Sequence, residues 1–88
     1  MSLSKPDYVP PQTSTEKVLA ELWAELLEVE RIGIHDKFVD LGGNSLLAAL
    51  LVSRIHKKFA IELTVGAVFE ASTMEAIGTR IDNAQQTS

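Results

Sequence analysis

The apolar positions of this chain recur at helical spacing in three segments, and proline, glycine and capping residues mark the breaks between them. Leu19, Leu22, Trp23 and Leu26 share one side of a helix, while Glu21, Glu25 and Glu28 point elsewhere. Thr13-Ser14-Thr15-Glu16 precedes them in the pattern of a capping box, with Thr13 as cap. The pattern predicts a first helix over about 16–28. A second helix over about 45–59 places Ala48, Leu51, Val52, Ile55 and Phe59 on its core side and Arg54, Lys57 and Lys58 toward its C-terminal end. A short helical segment is expected at Leu63-Thr64-Val65 and through Val68 and Phe69. Ser72-Thr73-Met74-Glu75 reads as another capping box, with Met74, Ile77 and Ile81 on one face of a last helix over about 73–84, which Gly78 weakens. The fold class expected is all-α: a small bundle of three main helices and one short one.

Between the first two helices, residues from about 29 to 43 have no helical period and carry Gly33, Gly42 and Gly43. Ile32, Ile34, Phe38, Val39 and Leu41 in that loop are apolar and are expected to pin it onto the helices. Pro6, Pro10 and Pro11 exclude a helix at the start. The expected organisation is therefore a lead-in over about 1–12, one domain over about 13–84 and a polar tail over about 85–88. Eighty-eight residues leave room for one core only.

Composition narrows the function. The net charge of −4 disfavours nucleic acid and a polybasic membrane contact. No run is long and apolar enough for a membrane span, and the first residues lack the apolar core of a signal peptide, so a cytoplasmic protein is expected. With no cysteine, disulfides and thiolate metal sites are excluded, and any thioester chemistry needs a thiol from a cofactor. His35 and His56 stand apart from each other and from any ligand-spaced cluster, so no metal site is expected. A monomer is the default.

The candidate chemistry lies at Asp40-Leu41-Gly42-Gly43-Asn44-Ser45-Leu46. Two glycines close a loop and allow a tight turn, and a serine opens a helix. Unpaired N–H groups and the positive end of the helix dipole favour a phosphate there. Ser45 alone is equally an ordinary cap; if its oxygen is esterified, Asn44 becomes the residue that closes the helix start. At 100° per residue Leu46, Ala49 and Leu50 fall away from the core side, beside Ser45. Leu50 is expected to be exposed, Leu46 to be either a docking residue or covered by the loop, and Leu47 to sit at the boundary. Asp36 and Asp40 are expected to hold loop N–H groups, with a metal contact as the alternative. Arg54 is read as part of a solvated helix end, or as a partner contact, and Trp23 as packing.

The stretch Asp36-Lys37-Phe38-Val39-Asp40-Leu41-Gly42-Gly43-Asn44-Ser45-Leu46 resembles the D-x-F-x-x-L-G-G-x-S-L signature of peptidyl carrier domains of nonribosomal peptide synthetases. Tyr8-Val9-Pro10-Pro11 with Thr15-Glu16, Leu51-Val52-Ser53-Arg54-Ile55 and Phe69-Glu70-Ala71-Ser72-Thr73 are similar to other parts of that family, in the same order. The resemblance implies a four-helix bundle that catalyses nothing itself. It also implies a 4'-phosphopantetheine arm on Ser45, transferred from coenzyme A by a phosphopantetheinyl transferase with magnesium. Implied partners are adenylation, condensation, tailoring and thioesterase domains, with Asn44, Leu46, Ala49 and Leu50 as docking residues. Asp36, Phe38, Leu41, Gly42 and Gly43 would be structural, Phe38 anchoring the loop. Asn44 stands where many members carry His or Asp. Thr64 stands where proline is frequent, which is expected to soften the start of the short helix.

Three rival functions compete with this one. A hydrolase fails because Leu47 occupies the second glycine of G-x-S-x-G and no strand precedes it. An acyl carrier of polyketide or fatty-acid type shares the bundle and the modified serine. Those carriers typically read D-S-L and are more acidic, whereas no acidic residue lies between Ser45 and Phe59 here. An unmodified helical interaction domain leaves the convergence of glycines and apolar surface on Ser45 unexplained.

Overall fold

The structure, a computed structural model, describes residues 8–71 and 73–86. Four helices follow one another: α1 (Ser14–Leu27), α2 (Ser45–Phe59), α3 (Val65–Ala71) and α4 (Met74–Gln86). A 3-10 turn at Val39–Leu41 interrupts the long α1–α2 loop. Local chemistry accounts for the ends. Thr13 accepts a hydrogen bond from the Glu16 N–H at 3.0 Å, and the Glu16 carboxylate reaches back to the Thr13 N–H at 3.2 Å, the reciprocal capping box. α1 ends at Glu28 and α2 at Ala60, both left-handed. α4 begins with Thr73 accepting from the Ala76 N–H; the expected Ser72 cap lies outside the described residues. α4 continues to Gln86, so Gln85 and Gln86 belong to the helix rather than to a tail.

One face of each long helix is buried, and α1 lies against both α2 and α4, with α3 bridging α2 and α4. Val52 and Phe59, expected in the core, are half-buried at its edge because α2 turns them toward the rim. Gly78 sits where α4 approaches α1; a Cβ there would meet Glu16 and Leu19 at ordinary distances of 3.5 and 3.7 Å. Beside it the Thr15 hydroxyl donates to the Asp82 carboxylate at 2.6 Å, pairing the one buried polar residue of α1 across the interface.

The loop is held from three sides. Ile32, Ile34 and Phe38 insert into the core. The Ile34 N–H donates to the Val9 carbonyl, while the Met74 and Glu75 N–H groups donate to the Asp36 and Ile34 carbonyls, so two free donors at the start of α4 are satisfied by the loop. Phe38 stands edge-on to Trp23, centroids 5.2 Å apart, and to Phe69 at 6.2 Å, linking α1, the loop and α3 through aromatic contacts. Val39 departs from expectation: it is 51% exposed, because the 3-10 turn directs Phe38 inward and turns its neighbour out. The lead-in residues from Tyr8 lie against the loop; Tyr8 covers Gly33 and is covered in turn by the Arg31 guanidinium, 4.1 Å above its ring.

The start of α3 also differs from expectation. Thr64 does not soften it; its hydroxyl oxygen accepts from the Ala67 N–H at 3.0 Å and caps the helix. No helix among the described residues is long and apolar enough to cross a membrane.

Candidate functional site

The site is the junction from Phe38 to Leu50. Its two glycines serve different needs. Gly42 has φ +99°, a conformation that costs an L-residue about 1–2 kcal/mol, and nothing lies within 4 Å of where its Cβ would be. Gly43 has no positive φ, yet a Cβ on it would clash with the edge of the Phe38 ring and stand 2.7 Å from the Phe38 carbonyl oxygen. Gly43 is therefore required by the packing of Phe38 and not by the turn, which corrects the expectation that both glycines serve the turn. Its N–H donates to the Phe38 carbonyl at 2.9 Å, closing the loop onto the buried aromatic.

Asn44 is the cap of α2, its Oδ1 accepting from the Leu47 N–H at 3.0 Å. Ser45, the first residue of α2, is exposed, and its hydroxyl makes no hydrogen bond among the described residues. The division of labour is physical: with Asn44 closing the helix, the Ser45 oxygen is free for chemistry. The Ser45 and Leu46 N–H groups remain without a partner among the described residues and face the helix start, where an anion is favoured. From Ser45 to Ser53 α2 carries no charged side chain, so a phosphodiester at Ser45 meets no nearby carboxylate on its own helix. These residues fit a phosphate ester and a flexible arm.

Leu46 is 70% exposed and Leu50 43%, one turn apart, with Ala49 exposed beside them; Leu47 is half-buried. Leu46 is not covered by the loop. Val39, expected to help pin the loop onto the helices, is instead an exposed apolar side chain on the loop. Asp36 holds the Gly33 N–H at 2.8 Å, while Asp40 is exposed and its side chain makes no hydrogen bond among the described residues. Leu41 is half-buried against the core. Arg54 pairs with Glu25 of α1 at 2.8 Å, and His35 lies 3.9 Å from Glu75, both on the surface. Among the described residues no three carboxylate or imidazole side chains gather to hold a metal.

Comparison with known proteins resolves what this junction belongs to. The phosphopantetheine attachment site family matches residues 17–81, a span that runs from α1 through the junction to α4. The chain belongs to the phosphopantetheine attachment family, in its peptidyl carrier branch. The carrier is 44% identical over 72 residues to the dimodular nonribosomal peptide synthase of Bacillus subtilis, a match that covers 82% of this chain and 3% of that protein. It therefore spans a very small part of the curated relatives it matches. Among solved structures, it is similar to PCP, a prototype for the peptidyl carrier domains of modular peptide synthetases, with TM-score 0.76 and 35% identity over 85% of this chain and 99% of that one. It is similar also to the chain matched in the structure of the phosphopantetheine transferase Sfp with coenzyme A and a peptidyl carrier protein, with TM-score 0.84 and 33% identity over 86% of this chain and 99% of that one. The carrier fold and the phosphopantetheine cofactor of the family agree with the helices and the exposed helix-start serine described above.

Proposed function

We propose that this carrier holds an aminoacyl or peptidyl group as a thioester on a 4'-phosphopantetheine arm esterified to Ser45, and that it performs no catalysis itself. The observation that carries this reading is the free, exposed hydroxyl of Ser45 at the start of α2, with the capping task taken by Asn44. In loading, the Ser45 oxygen attacks the phosphorus of coenzyme A that bears the pantetheine. A new P–O bond forms, the pyrophosphate bond breaks, adenosine 3',5'-bisphosphate leaves, and the serine proton passes to the transferase or solvent. The arm then supplies the thiol that this cysteine-free chain lacks. Leu46, Ala49 and Leu50, exposed on α2, are the apolar positions on which a phosphopantetheinyl transferase and the adenylation, condensation, tailoring or thioesterase domains would dock.

The test is the intact mass of the purified protein after incubation with a broad-specificity phosphopantetheinyl transferase, magnesium and coenzyme A, with Ser45→Ala alongside. A gain of one phosphopantetheine, absent from the variant, is the expected result. An unchanged mass for folded wild-type protein would remove the reading and leave an unmodified interaction domain.

A further inference from the structure

The segment before α1 lies on the domain without joining its helices. Tyr8 and Val9 run beside the loop at Ile32-Gly33-Ile34. The Ile34 N–H donates to the Val9 carbonyl at 2.9 Å, and the Tyr8 hydroxyl donates to the Ile32 carbonyl at a long 3.4 Å. The Arg31 guanidinium stands over the Tyr8 ring, 4.1 Å from its centre, and forms no ion pair among the described residues. Gly33 is shaped to receive this segment. It is buried and its φ is not left-handed, so its backbone conformation does not call for glycine. The three atoms nearest to a Cβ placed on it all belong to the lead-in: Tyr8 Cδ1 at 3.0 Å, the Val9 carbonyl oxygen at 3.1 Å and Tyr8 Cε1 at 3.2 Å. The close approach of the lead-in is what a side chain at 33 would prevent.

The hold is nevertheless thin. Pro10 and Pro11 carry no N–H, so pairing with the loop cannot continue past Val9. The next N–H, that of Gln12, donates instead to the Glu16 carboxylate of α1 at 2.9 Å. Residues 8–11 are thus held by one well-formed hydrogen bond, one long one, the Arg31 contact and the half-buried Val9, while Tyr8 and Pro10 are exposed. The loop beneath has separate anchors. The Ile34 and Asp36 carbonyls accept from the Glu75 and Met74 N–H groups, and the Asp36 carboxylate accepts from the Gly33 N–H. The loop therefore keeps its place on the bundle when the lead-in lifts.

Resting on the reading of this chain as a carrier that serves several partner domains, we propose that residues 8–11 are a releasable strap, a reserve of tether stored against the carrier's own loop. Strapped, the carrier pivots at Tyr8, beside Gly33. Released, it pivots at Gln12, whose N–H stays fixed to Glu16. The change frees four residues, which span about 13 Å when extended. Pro10 and Pro11 hold the freed segment extended, so the added length serves as reach and does not coil up. Two reaches from one linker let a single carrier bring the Ser45 arm to a near and to a far partner. Release is local, because it breaks none of the contacts among the four helices.

The experiment is amide hydrogen exchange, residue by residue, on the full chain over a range of urea below the unfolding transition, for wild type, Tyr8→Ala and Gly33→Ala. The first variant removes the ring that lies on the loop; the second leaves Tyr8 intact and puts a methyl group beneath it, so both reach the released state by different means. In wild type the Ile34 N–H is expected to exchange about a hundredfold faster than the Leu51 and Ile55 N–H groups of α2, with little dependence on urea, as a local opening does. In both variants Ile34 should exchange about tenfold faster again while the Met74 and Glu75 N–H groups keep their wild-type rates. An Ile34 rate and urea slope equal to those of Leu51 and Ile55 in wild type would show that the lead-in leaves only on global unfolding, and would overturn the strap even where a variant is too unstable to measure. Unchanged Ile34 exchange in both variants would overturn the clamp at Gly33. The carrier reading is checked separately by mass: a strap that fails the exchange test leaves the gain of one phosphopantetheine at Ser45 untouched, whereas no gain strikes the carrier reading and the reserve of reach with it.

Discussion

Replacing either glycine before Ser45 by alanine adds the same methyl group, yet the structure assigns the two changes different costs. At Gly43 the methyl collides with the Phe38 ring and stands 2.7 Å from its carbonyl oxygen. That oxygen is backbone and already accepts from the Gly43 and Leu41 N–H groups, and the ring is wedged between Trp23 and Phe69. Overpacking a rigid site costs about 1–3 kcal/mol, and losing a buried phenylalanine outright costs about 3–5 kcal/mol, so Gly43→Ala is placed where the two ranges meet, at about 3 kcal/mol. At about 4–8 °C per kcal/mol for a domain of this size, Tm falls by about 12–24 °C. Gly42→Ala meets open space and incurs only the left-handed backbone cost of about 1–2 kcal/mol. Asparagine separates the causes: it tolerates a left-handed backbone and should recover part of the loss at Gly42, whereas at Gly43 its bulk should make matters worse. Urea unfolding followed by the fluorescence of Trp23, the single tryptophan and fully buried against Phe38, reads all four variants. Gly43→Ala costing no more than Gly42→Ala would refute the claim that Phe38, and not the turn, dictates glycine at 43.

The capping assignment predicts that Asn44→Ala destabilises by about 1 kcal/mol while Ser45→Ala stays within about 0.5 kcal/mol, measured by the same unfolding assay. A larger loss in Ser45→Ala would mean that the serine caps α2. Leu50→Glu should lower stability by less than about 1 kcal/mol, since the side chain is already partly solvated, yet slow transfer by docking enzymes in a loading or condensation assay. Ala60→Gly should raise Tm, gaining up to about 1 kcal/mol, because residue 60 ends α2 at φ 58° where alanine is strained; an unchanged or lower Tm would count against that strain.

What the amino-acid sequence determined by itself is whatever depends on near neighbours. The Thr13–Glu16 box, the span of α2 and the core stripes of α1 and α4 rest on hydrogen bonds and side-chain periods that act over three or four residues, and the order of residues carries them directly. The motif around Ser45 was readable for the same reason, whereas the choice of Asn44 over Ser45 as the cap stayed conditional until the structure set Asn44 Oδ1 against the Leu47 N–H. The Thr64 cap is equally local, a hydroxyl three residues before a free helix N–H, although the absence of proline there pointed the other way. Only the tertiary structure decided what depends on partners distant in the chain. It set Thr15 against Asp82, stacked Phe38 between Trp23 and Phe69, and so made Gly43 obligatory for a reason no local rule contains. It turned Val39 out to solvent, although an apolar residue in an ordered loop looks like an anchor. It brought Glu62 and Leu63 to a groove shared with Val52, Ser53 and His56 of α2. Period fixes which way a side chain points along its own helix, but what it meets there is set by how separate segments pack, and packing is a property of the assembled chain.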